Sequence, residues 1–475
     1  MIANLIAGQW RQPQVPGLPI YNPATEEIID EVPLSGPTEV GQAVAAAAEA
    51  YTRWSQTPVM ERARLMFRYK ALLEEHFEEL AAIVTRHHGK TLDEARGEVR
   101  RGIEVVDFAC GAPTLLQGRT LRQVSADVDQ DMYRYPLGVV VGIPPFNFPV
   151  MIPLWMMPLA VVAGNTFILK PSERTPLGAV RLAEIFQEAG FPPGVLNLVH
   201  GARETVEALI AAPEVQAVSF VGSAPVARQI YQDAARYGKR VQALGGAKNH
   251  IIIMPDADLG TTIPALLGSA FGNAGERCLA GSVAVTVGDA AQRVLEPLCA
   301  QTRALVVGPG DQPGVDVGPL IRAEHRDRVA HYVEQGIAEG ATLLVDGRAQ
   351  LQRKGFFLGP TILSEVDPSM TVGREELFGP VLSMSQASTL DEAIAQANRM
   401  ALGNMAVIFT RDGRAARTFR EHVEAGMVGV NVPVAQPFAF FPFSGWKGSF
   451  YGDLHVHGMD GVEFYTRKKM FITRW

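Results

Sequence analysis

Cysteine is scarce in this chain: Cys110, Cys278 and Cys299 are the only three in 475 residues. They are widely spaced and form no Cys-x-x-Cys pair, which argues against a disulfide scaffold and against a zinc site, so no metal is expected. Long apolar runs are missing too. The most apolar stretch, Met151–Ala163, is shorter than the roughly 20 residues of a membrane-spanning helix and contains Pro153 and Pro158, so it reads as a buried helix. Residues Met1–Leu5 carry no basic segment followed by an apolar core, and no signal peptide is expected. There is no excess of positive charge: a formal net charge of −7 leaves no electrostatic footprint for nucleic acid or an anionic membrane. The phosphate-cradling fingerprint Gly-x-Gly-x-x-Gly is absent, so an ordinary dinucleotide-fold reading fails. These absences point to the cytoplasm or a similar reducing compartment, with no nucleic-acid and no membrane partner.

What is present is ordinary globular material, 47% hydrophobic and 20% charged, in a chain long enough for two or three domains. Residues 5–10 and 27–32 read as short strands, with Tyr21–Thr25 as a turn between them. A long amphipathic helix follows, with Thr57 as its cap, Pro58 at its first position and Leu65, Tyr69, Leu72, Leu80 and Ile83 on one face. Gly89 ends it. Thr91-Leu92-Asp93-Glu94 has the capping-box pattern that opens another helix through Val99, Val105 and Phe108. Residues 115–137 lack helical period and suit a hairpin or arm. From Gly138 onward, apolar strands alternate with helices, which implies a parallel sheet covered on both faces. A second α/β series starts at Ile251–Met254, and Val462–Trp475 reads as an extended tail of the kind that ties subunits together.

Five stretches carry chemistry. In Gly272-Asn273-Ala274-Gly275-Glu276-Arg277-Cys278-Leu279-Ala280-Gly281-Ser282 a single cysteine sits among small residues beside a cation, as an accessible, activated thiol would. A lone cysteine is more often a small buried hydrophobe. Ser219-Phe220-Val221-Gly222-Ser223-Ala224-Pro225 is a strand ending in Gly-Ser at a helix start. It offers backbone N–H groups and a hydroxyl to an anion, or merely a helix cap. Lys170 and Glu173 follow a buried strand, where open α/β sheets bind ligands. A carboxylate there accepts hydrogen bonds from a ribose diol and repels a 2′-phosphate; the plain alternative is a solvated ion pair. In Pro144-Pro145-Phe146-Asn147-Phe148-Pro149 an amide is held on an apolar wall, as a tetrahedral oxyanion requires, or serves only as a turn residue. Arg374-Glu375-Glu376-Leu377-Phe378-Gly379-Pro380 places Glu376 where it suits a second ribose, or simply ends a helix.

These stretches occur in the order and approximate spacing of the aldehyde dehydrogenase superfamily, which the whole chain resembles. Within it, Lys170-Pro171-Ser172-Glu173-Arg174, Gly246-Ala247-Lys248-Asn249-His250 and Gly429-Val430-Asn431-Val432-Pro433 resemble the CoA-acylating methylmalonate or malonate semialdehyde dehydrogenases. The resemblance implies an α/β fold. A Rossmann-variant NAD-binding domain takes residues 1–114 and 138–247, a catalytic domain 248–450, and a small β oligomerisation arm 115–137 and 451–475, in a homodimer or homotetramer. It implies Cys278 as nucleophile, with Asn147 and the Cys278 N–H as the oxyanion hole. Cofactor contacts fall to Pro144, Phe146, Lys170, Glu173, Arg174, Ser223, Gly245, Glu376 and Phe378. Arg101 and Arg277 match two arginines that hold a substrate carboxylate.

One departure is informative. Hydrolytic relatives usually carry a glutamate four residues before the position of Lys248, and here that residue is Leu244. A leucine cannot activate water. The acyl group is then expected to leave to a thiol, coenzyme A. The expected reaction is NAD-dependent oxidation of a small aldehyde, malonate or methylmalonate semialdehyde, to acetyl-CoA or propionyl-CoA with release of CO2. The alternatives are a hydrolytic, NAD-dependent enzyme with its base elsewhere, and a non-catalytic relative, which would be expected to lose Cys278 or Asn147.

Overall fold

In the computed structural model, which describes all 475 residues, five short apolar strands lie parallel in the order Leu196–Leu198, Thr166–Leu169, Val139–Ile143, Val215–Val221, Arg240–Leu244. Counted along the chain, this is the doubly wound order 3-2-1-4-5. The direction of winding reverses between Val139–Ile143 and Val215–Val221, so a crevice opens beyond the carboxyl ends of those two strands. Their residues are buried almost throughout, as strands covered by helices on both faces must be. The edges are closed by the antiparallel strands Asn4–Ile6 and Gln9–Arg11 on one side and Phe450–Tyr451 on the other.

A second sheet runs Thr342–Val345, Thr361–Ser364, Val381–Ala387, Gly281–Val287, Asn249–Ile253, Met405–Phe409, Met427–Val430, parallel except for its first pair. One apolar core joins the two sheets and includes Val140, Phe167, Ile251 and Ala284. At its centre the helix Met151–Val162 is buried along its whole length. It crosses Leu92–Cys110 so closely that a Cβ at Gly102 would meet Leu154 Cδ1 at 2.8 Å. No helix is long and apolar enough to cross a membrane.

A third sheet projects from this body. Val128–Pro136 pairs antiparallel with Arg119–Ser125 and, along its full length, with Thr466–Arg474, so the expected hairpin and the tail form one unit. The tail becomes extended later than its sequence suggests, because Gly458–Phe464 is helical.

Three other expectations are corrected. Residues 5–10 are not one strand but the hairpin Asn4–Ile6/Gln9–Arg11, turned at Ala7 and Gly8 by φ of 51° and 76°. The long helix breaks at His76 into Val59–Glu75 and Phe77–His88. The His76 ring lies 2.8 Å from the Glu79 carboxylate and close to Arg181, contacts that hold the junction. Pro58 is the cap of the first piece, not its first helical residue. The capping box forms as read, with Glu94 N–H donating to Thr91 Oγ1 at 3.3 Å and Thr91 N–H to the Glu94 carboxylate at 3.1 Å.

Candidate active site

Cys278 lies in the loop between the helix Leu259–Phe271 and the strand Gly281–Val287. Three consecutive residues of that loop are left-handed: Asn273, Ala274 and Gly275, with φ of 56°, 51° and 72°. For Asn273 and Ala274 this is strained backbone, which persists only where the surroundings over-determine it. Here they do. Asn273 N–H donates to Glu94 Oε1, Asn273 Nδ2 donates to the Glu276 carbonyl at 2.9 Å, and a Cβ at Gly275 would lie 2.1 Å from the Gly379 carbonyl oxygen. Beyond the turn, the Cys278 carbonyl accepts from Asn249 Nδ2 at 3.0 Å and Asn404 Nδ2 at 2.8 Å. The cysteine peptide is therefore fixed on both sides, and the half-buried side chain packs against the main core. Burial pushes its thiol up to about 12, helped by the Glu376 carboxyl and opposed by the N–H groups of Cys278 and Leu279 and by Arg277. As it stands the group is a thiol, and a nearby positive charge or base is needed to activate it.

Asn147 reaches this loop from the end of Val139–Ile143. It is 3% exposed, and its Nδ2 donates to the Glu276 carbonyl at 2.9 Å, two residues before the cysteine. Nδ2 makes no other hydrogen bond, so one N–H remains to meet an oxyanion. The structure thus joins the two residues assigned to the chemistry through one peptide. Pro144, buried, ends the same strand; Phe146 packs edge-on against Phe378 at 5.8 Å and stacks on His88 at 6.2 Å.

Around the crevice, Ser223 is exposed and opens the helix Ala224–Arg236, yet its hydroxyl makes no capping bond. The plain-cap alternative therefore fails, and the unpaired first-turn N–H groups stay open to an anion. On the far side of the strand Val139–Ile143, Lys170 Nζ pairs with Glu173 Oε2 at 3.3 Å, and Arg174 Nε lies 3.8 Å from Glu173 Oε1. Burial would raise the Glu173 carboxyl, but Lys170, its own N–H and Arg174 together outweigh it and the carboxyl falls below its usual range. Gly245 serves a close crossing: its N–H donates to the Ser449 carbonyl at 2.8 Å, and a Cβ there would meet the Gly448 carbonyl oxygen at 2.8 Å. Glu376 accepts from Ala247 N–H at 2.8 Å, and burial pushes its carboxyl up to about 7, against the pull of that bond and of Lys248. Phe378 is held with φ of 57° by His325, whose Nε2 donates to its carbonyl at 2.7 Å while Nδ1 accepts from Arg328. Leu244, 4% exposed, ends its strand at the crevice and belongs to the core that Cys278 packs against.

The two arginines have different partners. Arg101 pairs with Glu104 at 2.8 Å and lies over the Phe438 ring at 4.5 Å, while Arg277 is 3.3 Å from Glu94. No ion pair or hydrogen bond joins either to Cys278. Arg277 Nε is buried without a partner, and the residue borders a cavity of about 600 Å³ shared with Glu94, Phe271, Leu305, Pro433 and Val434.

Several residues with a clear part in the geometry carried no sequence signal. Asn249, on the strand Asn249–Ile253, and Asn404, just before the strand Met405–Phe409, grip the cysteine peptide from 29 and 126 residues away in sequence. Glu276, fully buried and pushed well above the usual carboxyl range by burial, lies between His88 and His325 at 3.8 and 3.5 Å. Lys90 and Glu98 form a buried pair beneath the Asn147 loop. Only proximity in three dimensions reveals these.

A doubly wound sheet, a rigidly held cysteine and an amide donor bonded to the same loop fit an oxidoreductase. The chain belongs to the aldehyde dehydrogenase family, whose profile matches residues 10–471. It is 55% identical over 479 residues to malonate-semialdehyde dehydrogenase 1 of Geobacillus thermodenitrificans, covering 100% of this chain and 99% of that one. Among solved structures it resembles methylmalonate-semialdehyde dehydrogenase from Oceanimonas doudoroffii at 47% identity and a TM-score of 0.98, covering 100% and 98% of the two chains. A putative methylmalonate-semialdehyde dehydrogenase from Sinorhizobium meliloti, solved in complex with NAD, is 43% identical with a TM-score of 0.98 over the same shares.

Proposed function

We propose that this protein oxidises malonate or methylmalonate semialdehyde with NAD and passes the acyl group to coenzyme A. The residues present fit a dinucleotide. The uncapped helix start at Ser223 suits a pyrophosphate, and Glu173, ionised beside Lys170, suits a ribose diol and disfavours a 2′-phosphate. Pro144, Phe146, Arg174, Gly245, Glu376 and Phe378 complete the walls. When bound, NAD supplies the oxidised ring that accepts a hydride.

Cys278 gives its thiol proton to solvent water, and its Sγ attacks the aldehyde carbon, giving a thiohemiacetal whose oxygen takes up negative charge. The free N–H of Asn147 and the Cys278 N–H stabilise that oxygen, and each such donor contributes about 3 kcal/mol. Loss of the hydride leaves a thioester on Cys278. The observation that carries the rest is Leu244: an apolar, buried side chain stands where hydrolytic relatives place a base, so water is not activated. The coenzyme A thiol releases its proton to solvent and attacks the thioester carbonyl, and Cys278 leaves as thiolate, which regains a proton. A thioester bearing a β-carboxylate loses CO2 readily, which gives acetyl-CoA from malonate semialdehyde and propionyl-CoA from its methyl homologue.

The orphaned Nε of Arg277 supports a carboxylate site there, with Arg101 as second guanidinium once released from Glu104. The presence of two large sheets supports a division into an NAD-binding and a catalytic domain. The projecting third sheet supports a homodimer or homotetramer: its strand Arg119–Ser125 has a free edge, and Leu121, Met470 and Ile472 are exposed. Free thiols suit a cytoplasmic setting. Product analysis tests the reading: acetyl-CoA and NADH in equal amounts from malonate semialdehyde support it, and free malonate as the main product refutes it.

A further inference from the structure

We propose that Lys90 and Glu98, with Glu94 one turn earlier, are positioning residues that set the Asn147 loop in register with the cysteine loop. The inference rests on the reading of Asn147 as the oxyanion donor.

Lys90 and Glu98 are 1% and 0% exposed and lie 2.6 Å apart. Burying two charges this deeply costs more than their attraction returns unless their remaining bonds are made. Each of those bonds goes to the loop that carries the donor. Lys90 Nζ donates to the Asn147 carbonyl at 2.7 Å and lies 4.2 Å from the Phe148 ring centroid. Glu98 Oε1 accepts from the N–H groups of Val150 and Met151 at 2.8 and 3.2 Å. Those groups start the apolar helix Met151–Val162, which has no side-chain cap of its own, so Glu98 supplies the missing acceptor.

Glu94 stands on the same face of the same helix, four residues earlier. Its Oε1 accepts from Asn273 N–H in the left-handed turn and lies 3.3 Å from Arg277 Nη2. One helix therefore grips the nucleophile loop with one carboxylate and the oxyanion loop with the next. These loops are otherwise more than a hundred residues apart, and their mutual placement fixes the distance over which the donor must act. A misplacement of about 1 Å costs up to roughly a hundredfold in rate.

A double-mutant cycle separates positioning from mere stability. The neutral variant Lys90→Met/Glu98→Gln is measured alone and in an Asn147→Ala background, with saturating NAD and coenzyme A. Alone, kcat should fall at least about tenfold while KM for NAD stays within about twofold. In the Asn147→Ala background the same change should cost less than about twofold, because no donor is left to position. Equal losses in both backgrounds would overturn the proposal and reduce the pair to core packing. If Asn147→Ala itself leaves kcat intact, the oxyanion reading fails, whatever the pair does. Should the double variant not fold, Glu98→Gln, which keeps the side-chain volume and removes the charge that pairs with Lys90, carries the same cycle with the same two outcomes.

Discussion

Replacing Asn147 by alanine should separate catalysis from stability. Its Nδ2 donates to the Glu276 carbonyl at 2.9 Å, but that carbonyl also accepts from Asn273 Nδ2 at 2.9 Å, so the acceptor stays satisfied when Asn147 is truncated. The stability loss is then about that of one neutral hydrogen bond, roughly 1 kcal/mol, with a small cavity beside it. The chemical cost is larger. One oxyanion donor is lost, worth about 3–4 kcal/mol, so kcat should fall about 10²–10³-fold. The assay is steady-state NADH formation from malonate semialdehyde at saturating NAD and coenzyme A, paired with thermal unfolding. The aldehyde KM should change by less than about threefold, since the donor acts mainly on charge that develops in the transition state. Asn147→Asp, of equal size, should be slower still, because a carboxylate cannot donate and repels the oxyanion. A correctly folded Asn147→Ala protein with kcat within about threefold of the parent would refute the assignment.

Further predictions concern the crevice and the loop. The Glu376 carboxyl, raised to about 7 by burial, is half protonated at that pH, and only its ionised form can accept from both hydroxyls of a ribose. NAD affinity should therefore fall about tenfold between pH 8 and pH 6, and Glu376→Gln should flatten that profile; a flat profile in the parent protein contradicts the role. Glu173→Gln should weaken NAD about tenfold, the scale of a charged hydrogen bond, and narrow the preference over NADP, as measured by fluorescence titration. Gly275→Ala forces a Cβ to within 2.1 Å of the Gly379 carbonyl at a φ of 72°, so it should destabilise by about 3 kcal/mol and abolish activity; an unchanged melting temperature would contradict the strained-turn account.

What the sequence made legible was local. The Thr91–Glu94 capping box, the alternation of apolar strands and helices after Gly138, and the Gly-Ser helix start at residue 222 each declare themselves within a few residues. The break at His76 did not, because Leu65 through Ile83 keep a helical period across it and the cause is a contact with Arg181, over a hundred residues on. The left-handed turn at Asn273 and Ala274 is equally hidden: Gly275 signals one such residue, but the bonds that hold Asn273 go to Glu94 and to the Glu276 carbonyl. Lys90 and Glu98 have unremarkable neighbours in sequence, and their meaning appears only when the fold buries them beside Asn147. Arg277 was read from its adjacency to Cys278, whereas its side chain turns to Glu94.

The most direct test of the central claim compares the parent protein with Leu244→Glu for NADH formation from malonate semialdehyde, with and without coenzyme A. The parent should turn over only with coenzyme A, apart from a single stoichiometric burst as Cys278 is acylated. The variant, once shown to be folded, should gain coenzyme A-independent turnover that yields free malonate. Equal parent rates with and without coenzyme A would contradict the account and place the hydrolytic base somewhere other than position 244.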